Sequence, residues 1–300
     1  MDRYAPSEPR PFDRPDALDH RARNDEDVSG CGTSSLHGQV DNGALARPGS
    51  EMFVVIEFTG IAQQYDINSI LAKFAPGTDV LEIDPLDMPE NCRWNNQERA
   101  HQICRTITAA EPSRVALIAY CTGGPLASQV TSALASVGVC VTGYAVLDPA
   151  AVTSAVIYDA LSEIAESLGT NISPEDYEAL HLYRPDICDT SRVENILLSW
   201  TKDYASDALG LSAKNVPQIR ELAERYISWI SFLCATGWTK EKMSIPFAIF
   251  ASEERLARVG DSGRFPNDVL HSYATQGASC LTADQCIVDF GNWCNSVMGK

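Results

Sequence analysis

The segment RVALIAYC-TGG-PLASQV joins an apolar, β-branched run to a helical pattern through Cys121, Thr122 and two glycines. Small neighbours let a chain reverse sharply. That would lift the Cys121 sulfur above the C-terminal edge of a sheet and aim the first N–H groups of the next helix at it. A thiol so placed has its anion stabilised, and the thiolate is the nucleophilic form. A structural reading stands beside this one: a buried cysteine in an apolar strand, with Gly123 and Gly124 serving close helix–strand packing. Asp148 ends a second strand pattern, VCVTGYAVLD. It has two readings, a carboxylate that orients and charge-balances an imidazole, or a strand-end aspartate in an ordinary turn before Pro149. His271, the one histidine of the C-terminal region, either serves as the base or sits on a strand or helix as a hydrogen-bonded surface residue. His101 and His181 fall in helical patterns and read as structural or solvent-facing, and His20 and His37 lie in an N-terminal tail.

These residues need a scaffold, and the chain from Met52 onward spells one out. MFVVIEF is a continuous apolar run bounded by Thr59 and Gly60, as expected of a strand buried on both faces. A helical spacing of Ile67, Ile70, Leu71 and Phe74 follows, with Asp66 as a candidate cap, and then a short strand, DVLEID. QERAHQICRTITAA reads as a helix ended by Pro112, and PLASQVTSALASV as another ended by Gly138. Strands alternating with helices imply right-handed crossovers and a mostly parallel, doubly wound sheet. The alternation stops after Pro149. SAVIYDALSEIAESLG, SPEDYEALHLY, SRVENILLSWTKDYASDALG and VPQIRELAERYISWISFLCATG all have helical period, which makes an all-helical insertion. The strand pattern resumes at IPFAIFAS; an ambiguous stretch, SGRFPNDVLHSYATQGAS, and a last helix, TADQCIVDFGNWCNSV, complete the chain. The organisation expected is a disordered tail over 1–50, a core over 51–149, a helical lid over 150–244 and the rest of the core over 245–300.

Composition narrows the function classes. Within 300 residues, 23 Lys and Arg face 40 Asp and Glu, a formal charge of −17 that repels phosphate backbones and anionic lipid, so neither nucleic acid nor a membrane is an expected partner. The first 50 residues are rich in proline and charge and contain no isoleucine, too little apolar surface to offset the entropy of ordering. No apolar run is long enough to span a bilayer, and the N-terminus has no signal-peptide core. The ten cysteines are scattered, with no CxxC pair and no metal-type spacing, so free thiols in a reducing cytoplasm, no metal and no cofactor are expected.

AYCTGG resembles the GYSxGG elbow of α/β-hydrolase thioesterases that act on carrier-protein thioesters in polyketide and nonribosomal peptide synthesis, with Cys121 in the serine position. EFTGIAQQY, the strand ending LDPA and the helical insertion extend the resemblance over residues 52–298. A cysteine nucleophile in this fold is similar to the freestanding Dieckmann cyclases that release chains as tetramate or pyridone rings, and to a minority of cysteine thioesterases. The resemblance implies an α/β-hydrolase fold and a triad of Cys121, Asp148 and His271. It implies an oxyanion hole made by the backbone N–H groups of Ile61 and Thr122. It also implies that the histidine should follow the last strand in a GxH turn, where this chain has GASCLT, with Ser279 and Cys280 and no histidine. Glu253 and Glu254 occupy the other place where such folds carry the acid, and read as a solvated loop.

The expected activity is chain release from an acyl or peptidyl carrier protein through an acyl-Cys intermediate. Cyclisation is the favoured outcome; hydrolytic editing and a catalytically degenerate binding protein are the alternatives. A small-molecule hydrolase of the dienelactone type fits less well, because that group lacks so large a lid. Most large apolar lid residues, Leu161, Ile164 and Trp200 among them, must pack the lid helices together, while a lid over a cleft suits a long acyl chain shielded from water. Carrier proteins are usually acidic, so docking on a chain of this charge needs a basic patch, for which Arg220, Arg225, Lys240 and Lys242 are candidates.

Overall fold

The computed structural model of the chain describes residues 49–58, 67–179, 190–207, 216–236, 247–253, 255–256, 270–275 and 279–299. The expected tail up to residue 48 and the residues Ile61, Asp66, His181, Lys240, Lys242 and Glu254 lie outside the described residues. Six strands form one sheet in the order β2-β1-β3-β4-β5-β6, where β1 is Glu51–Ile56, β2 Asp79–Ile83, β3 Arg114–Tyr120, β4 Cys140–Leu147, β5 Phe247–Ser252 and β6 Leu270–Tyr273. Every neighbouring pair is parallel. Helices α1 (Ile67–Phe74), α2 (Asn96–Ala109) and α3 (Gly124–Ser136) make the crossovers among the first four strands. The chain runs outward from β1 to β2 and then returns across β1 to β3. The topological switch therefore falls between the C-terminal ends of β1 and β3, where ligand sites of such sheets form. The parallel, doubly wound sheet expected from the alternating pattern is thus present.

Parallel strands covered on both faces can be apolar at every position, and the period of two assigns them to two cores. Met52, Val54 and Ile56 of β1 join Val115, Leu117 and Ala119 of β3 on the face covered by α2 and α3. Phe53 and Val55 join Ala116, Ile118 and Tyr120 on the other face, which α1 and the last helix, α8 (Asp284–Met298), cover. Full burial of a side chain such as Phe53 is worth about 1.5–3 kcal/mol. Helix ends are set locally. Asn95 caps α2 by accepting the N–H groups of Gln97 at 2.9 Å and Glu98 at 3.3 Å, and Gly138, at φ +82°, turns the chain out of α3.

Four helices follow β4: α4 (Ser154–Ser167), α5 (Pro174–Ala179), α6 (Thr190–Asp207) and α7 (Val216–Ala235), with no strand among the described residues of this insertion. Leu161 and Ile164 of α4, Leu197 and Trp200 of α6, and Ile227 and Phe232 of α7 share one apolar cluster with Leu126 and Val130 of α3. The large lid residues are thus mostly structural, as expected. Polar contacts add to this seam. Arg93 pairs with Glu224, the Trp94 indole donates to Glu194 at 2.9 Å, and Arg225 reaches Asp84 at 2.9 Å. Arg99 is fully buried against α7, donating to Asn96 at 3.0 Å and Ser231 at 3.2 Å beneath the Phe232 ring. Burial, with Arg93 adding to it, pushes this guanidinium down to about 10.

Strand β6 comes from the stretch whose sequence is ambiguous. LHSY alternates only weakly because it is a short edge strand, with Leu270 and Ser272 exposed and Tyr273 buried. Helix α8 then packs so closely on α1 that a Cβ at Gly291 would lie 2.3 Å from the Phe74 ring. Gly291→Ala should therefore cost about 1–3 kcal/mol through overpacking, less whatever helix propensity returns. A lowered urea midpoint would show it, and a Phe74→Ala background should remove most of the difference.

Candidate active site

Cys121 follows the last residue of β3 and has φ +52°, the left-handed region that a non-glycine residue enters only at a cost. The sharp turn is carried by this residue itself. Gly123 has φ −71°, and a Cβ there would make ordinary contacts at 3.5 Å with Ile56, so its role is close approach to β1 rather than unusual backbone freedom. Residues Cys121–Gly123 form one 3-10 turn that runs into α3, so the N–H groups of Cys121, Thr122 and Gly123 stand at a helix start without intrahelical acceptors. The half-buried thiol sits at this positive end. The Thr122 side chain is buried, and its hydroxyl has no hydrogen-bond partner among the described residues.

One strand over, Asp148 directly follows β4 and also has a positive φ, +45°. The two turns are tied together: the Ala150 N–H donates to the Cys121 carbonyl at 3.4 Å, and the Asp148 N–H donates to the Phe250 carbonyl at 2.8 Å. The structure thus brings Cys121 and Asp148 to the same sheet edge, beside the topological switch.

The Asp148 carboxylate is 1% exposed, so its charge requires compensating donors. They come from the ends of the two strands beyond it. The Ser252 N–H donates to Oδ1 at 3.3 Å, and the Cys280 N–H donates to Oδ1 at 3.2 Å and Oδ2 at 2.9 Å. Ser279 Oγ donates to Oδ2. Ser279 accepts in turn from the Leu281 N–H at 3.3 Å, and the Tyr120 hydroxyl is hydrogen-bonded to it. Burial, followed by the nearby Cys121 and Asp148, raises the Tyr120 phenol above its ordinary range, so it stays protonated.

His271 lies elsewhere in this network. It pairs with Phe250 in the β5–β6 register, and its ring stacks on the Phe250 ring at 4.8 Å. It is absent from the donors to Asp148, whose partners are the Ser252, Ser279 and Cys280 groups. His101 is exposed on α2 and Glu253 is exposed after β5. Of the two described residues of the expected basic patch, Arg225 is committed to Asp84 and Asp87, and Arg220 pairs with Glu224 at 3.4 Å.

Ser279 and Ser252 as partners of Asp148 were not assigned from the sequence. The signal available was GASCLT itself, where the resemblance implies a histidine turn and this chain has a serine and a cysteine. The second cysteine, Cys280, is no rival to Cys121. It is fully buried, and a hydrogen bond with Cys286 and then burial hold its thiol far above the usual range. Burial likewise pushes Cys294 up to about 12. None of the eight described cysteines is in a disulfide, as expected of scattered thiols.

No protein-family model and no curated protein sequence matches the chain. Solved structures that resemble it include the Vlm2 thioesterase domain bound with a dodecadepsipeptide, at 12% identity and a TM-score of 0.46 over 84% of this chain and 94% of that one. MGS-M2, an α/β-hydrolase enzyme from a Medee basin deep-sea metagenome library, is 13% identical with a TM-score of 0.47, over 84% of this chain and 90% of that one. The type II thioesterase BorB from the borrelidin biosynthetic cluster is 14% identical with a TM-score of 0.44, over 83% and 94% of the two chains.

Two outcomes follow from the geometry of the site. Brief alkylation of the native protein with iodoacetamide, mapped by peptide mass, should modify half-buried Cys121 and exposed Cys140 while sparing Cys280, Cys286 and Cys294 until the chain is unfolded. Ser279→Ala removes a donor from a buried carboxylate and should lower stability by about 1.5–3 kcal/mol in urea denaturation.

Proposed function

We propose that the protein processes acyl thioesters through an acyl-Cys121 intermediate, accepting its substrate from an acyl or peptidyl carrier protein and releasing it by cyclisation. The observation that carries this reading is Cys121 at φ +52° at the head of α3, tied through Ala150 to the turn of a buried aspartate. A thiol is an apt nucleophile here, because exchange between two thioesters is nearly balanced in energy and its leaving group needs no strong acid. The Thr122 N–H is one oxyanion donor in this reading, and the loop after β1, where Ile61 stands, supplies the other. The close-packed lid helices suit a long apolar chain, because exclusion of water gives an acyl-enzyme time to meet an internal nucleophile.

A second reading has an observation of its own. Asp148 is bonded to Ser279 rather than to an imidazole, which is the arrangement expected if the triad has been lost and the fold now serves as a binding protein. Hydrolytic editing is the weaker variant of the first reading, since hydrolysis needs a base for water.

Incubation with a long-chain N-acetylcysteamine thioester, followed by intact mass measurement, separates these. The wild type should gain one acyl group and Cys121→Ala none. Absence of an adduct on the wild type across several chain lengths would favour the binding protein.

A further inference from the structure

Helix α7 is held to the core largely by apolar packing, which is non-directional and does not by itself fix how a helix is rotated or where it stops along its axis. The ion pairs beside that packing stand at a partly open rim, with Arg225 32% and Glu224 34% exposed, where such pairs contribute little. Directional contacts lie deeper. Fully buried Arg99 of α2 donates through one terminal nitrogen to Asn96 at 3.0 Å and through the other to Ser231 of α7 at 3.2 Å, with its guanidinium carbon 5.1 Å from the centre of the Phe232 ring. Asn96 extends the attachment by donating to Thr236, just past the end of α7, at 3.3 Å. Both hydroxyls turn their own protons back to their own helix, Ser231 to the Ser228 carbonyl at 2.8 Å and Thr236 to the Phe232 carbonyl at 2.6 Å, so both meet α2 as acceptors. Two such attachments on successive turns fix rotation and translation together.

That register is read at the end of β1. The rings of Trp229 and Phe232 stack on each other, and both meet the Phe58 ring edge-on, at 5.2 and 4.9 Å. Phe58 is buried just beyond β1, and Ile56, the last residue of β1, lies against the Cys121 turn: a Cβ at Gly123 would stand 3.5 Å from its carbonyl oxygen and from its Cγ2. A slip of α7 by one residue would move it about 1.5 Å along and about 100° round, carrying both rings off Phe58. A guanidinium is a costly bridge between two helices. It is shut away from water with no carboxylate among its described partners, and an apolar side chain of similar length would fill the space without that desolvation. An apolar side chain would, however, accept many registers. We infer that Arg99, with Asn96, is a positioning residue: it sets the register of α7 on the core and so, through Phe232 and Phe58, holds the end of β1 against the Cys121 turn, at a net cost in stability.

The test compares the full wild-type chain with one variant that combines Asn96→Ala, Arg99→Met and Ser231→Ala, so that donor and acceptors go together and none is left buried without its partner. The variant should have a urea midpoint equal to that of the wild type or higher. In native-state hydrogen exchange read by peptide mass, residues 51–58 and 224–236 should nevertheless exchange about tenfold faster than in the wild type, while β5 and α8 keep their rates. A third readout rests on the acyl-thioester reading. Acylation of Cys121 by decanoyl-N-acetylcysteamine should slow by about 10- to 10²-fold, the scale of a misplacement near 1 Å, while alkylation by iodoacetamide, which needs only the thiolate, keeps its rate. A general loosening of the fold would change both reactions. A clear fall in the urea midpoint, or a variant that does not fold, overturns the inference, because Arg99 would then hold the fold together instead of setting its register. Wild-type exchange over 51–58 overturns it as well, and so does wild-type acylation in a variant whose β1 end has loosened. If the wild type itself does not acylate, the acyl-thioester reading fails, and the exchange comparison still decides the role of Arg99.

Discussion

A carboxylate shut away from water must be given hydrogen bonds from the protein, and Asp148 imposes that condition on the whole C-terminal edge of the sheet. Its donors come from the end of β5, through Ser252, and from the turn before α8, through Ser279 and Cys280. Its own N–H is fixed by Phe250, and the turn it begins reaches back to Cys121 through Ala150. The ends of β3, β4 and β5 and the approach to α8 are thereby held in one arrangement. Loss of any one donor leaves a buried charge undercompensated, which is costlier than the mean value of a hydrogen bond suggests.

The same edge stores backbone strain. Cys121 and Asp148 both sit at positive φ, a conformation worth roughly 1–3 kcal/mol each at non-glycine residues. That strain persists because the two apolar cores beneath it hold β3 and β4 in register on both faces. Rigid strands ending in strained, hydrogen-bonded turns hold the Cys121 sulfur and the N–H groups at the start of α3 in a fixed relation.

The lid is joined to this core by apolar packing and by polar contacts that stay low in charge. Arg99 carries no carboxylate among its described partners, only Asn96, Ser231 and the face of Phe232. On α7, Arg225 reaches across to Asp84 and Asp87, while Arg220 is 63% exposed and pairs with Glu224 one turn along the same helix.

The fold was legible because it is written in local patterns. MFVVIEF and RVALIAYC are apolar at nearly every position, as strands buried on two faces must be, and the helical runs between them require crossovers. Cys121 was legible for the same reason, since a strand–turn–helix is contiguous in sequence. LHSY was not, because an edge strand of four residues buries too little to alternate clearly. The partner of Asp148 was least legible of all, because Ser279 stands 131 residues away. From sequence, GASCLT could be singled out, but not that its serine hydroxyl and backbone reach Asp148 in space. Chain order and residue type determined the sheet, the helical insertion and the strand-to-helix turn at Cys121 on their own. Only the folded structure decided that the buried aspartate is satisfied by a serine hydroxyl and a backbone N–H, because that choice depends on which donors reach a desolvated charge.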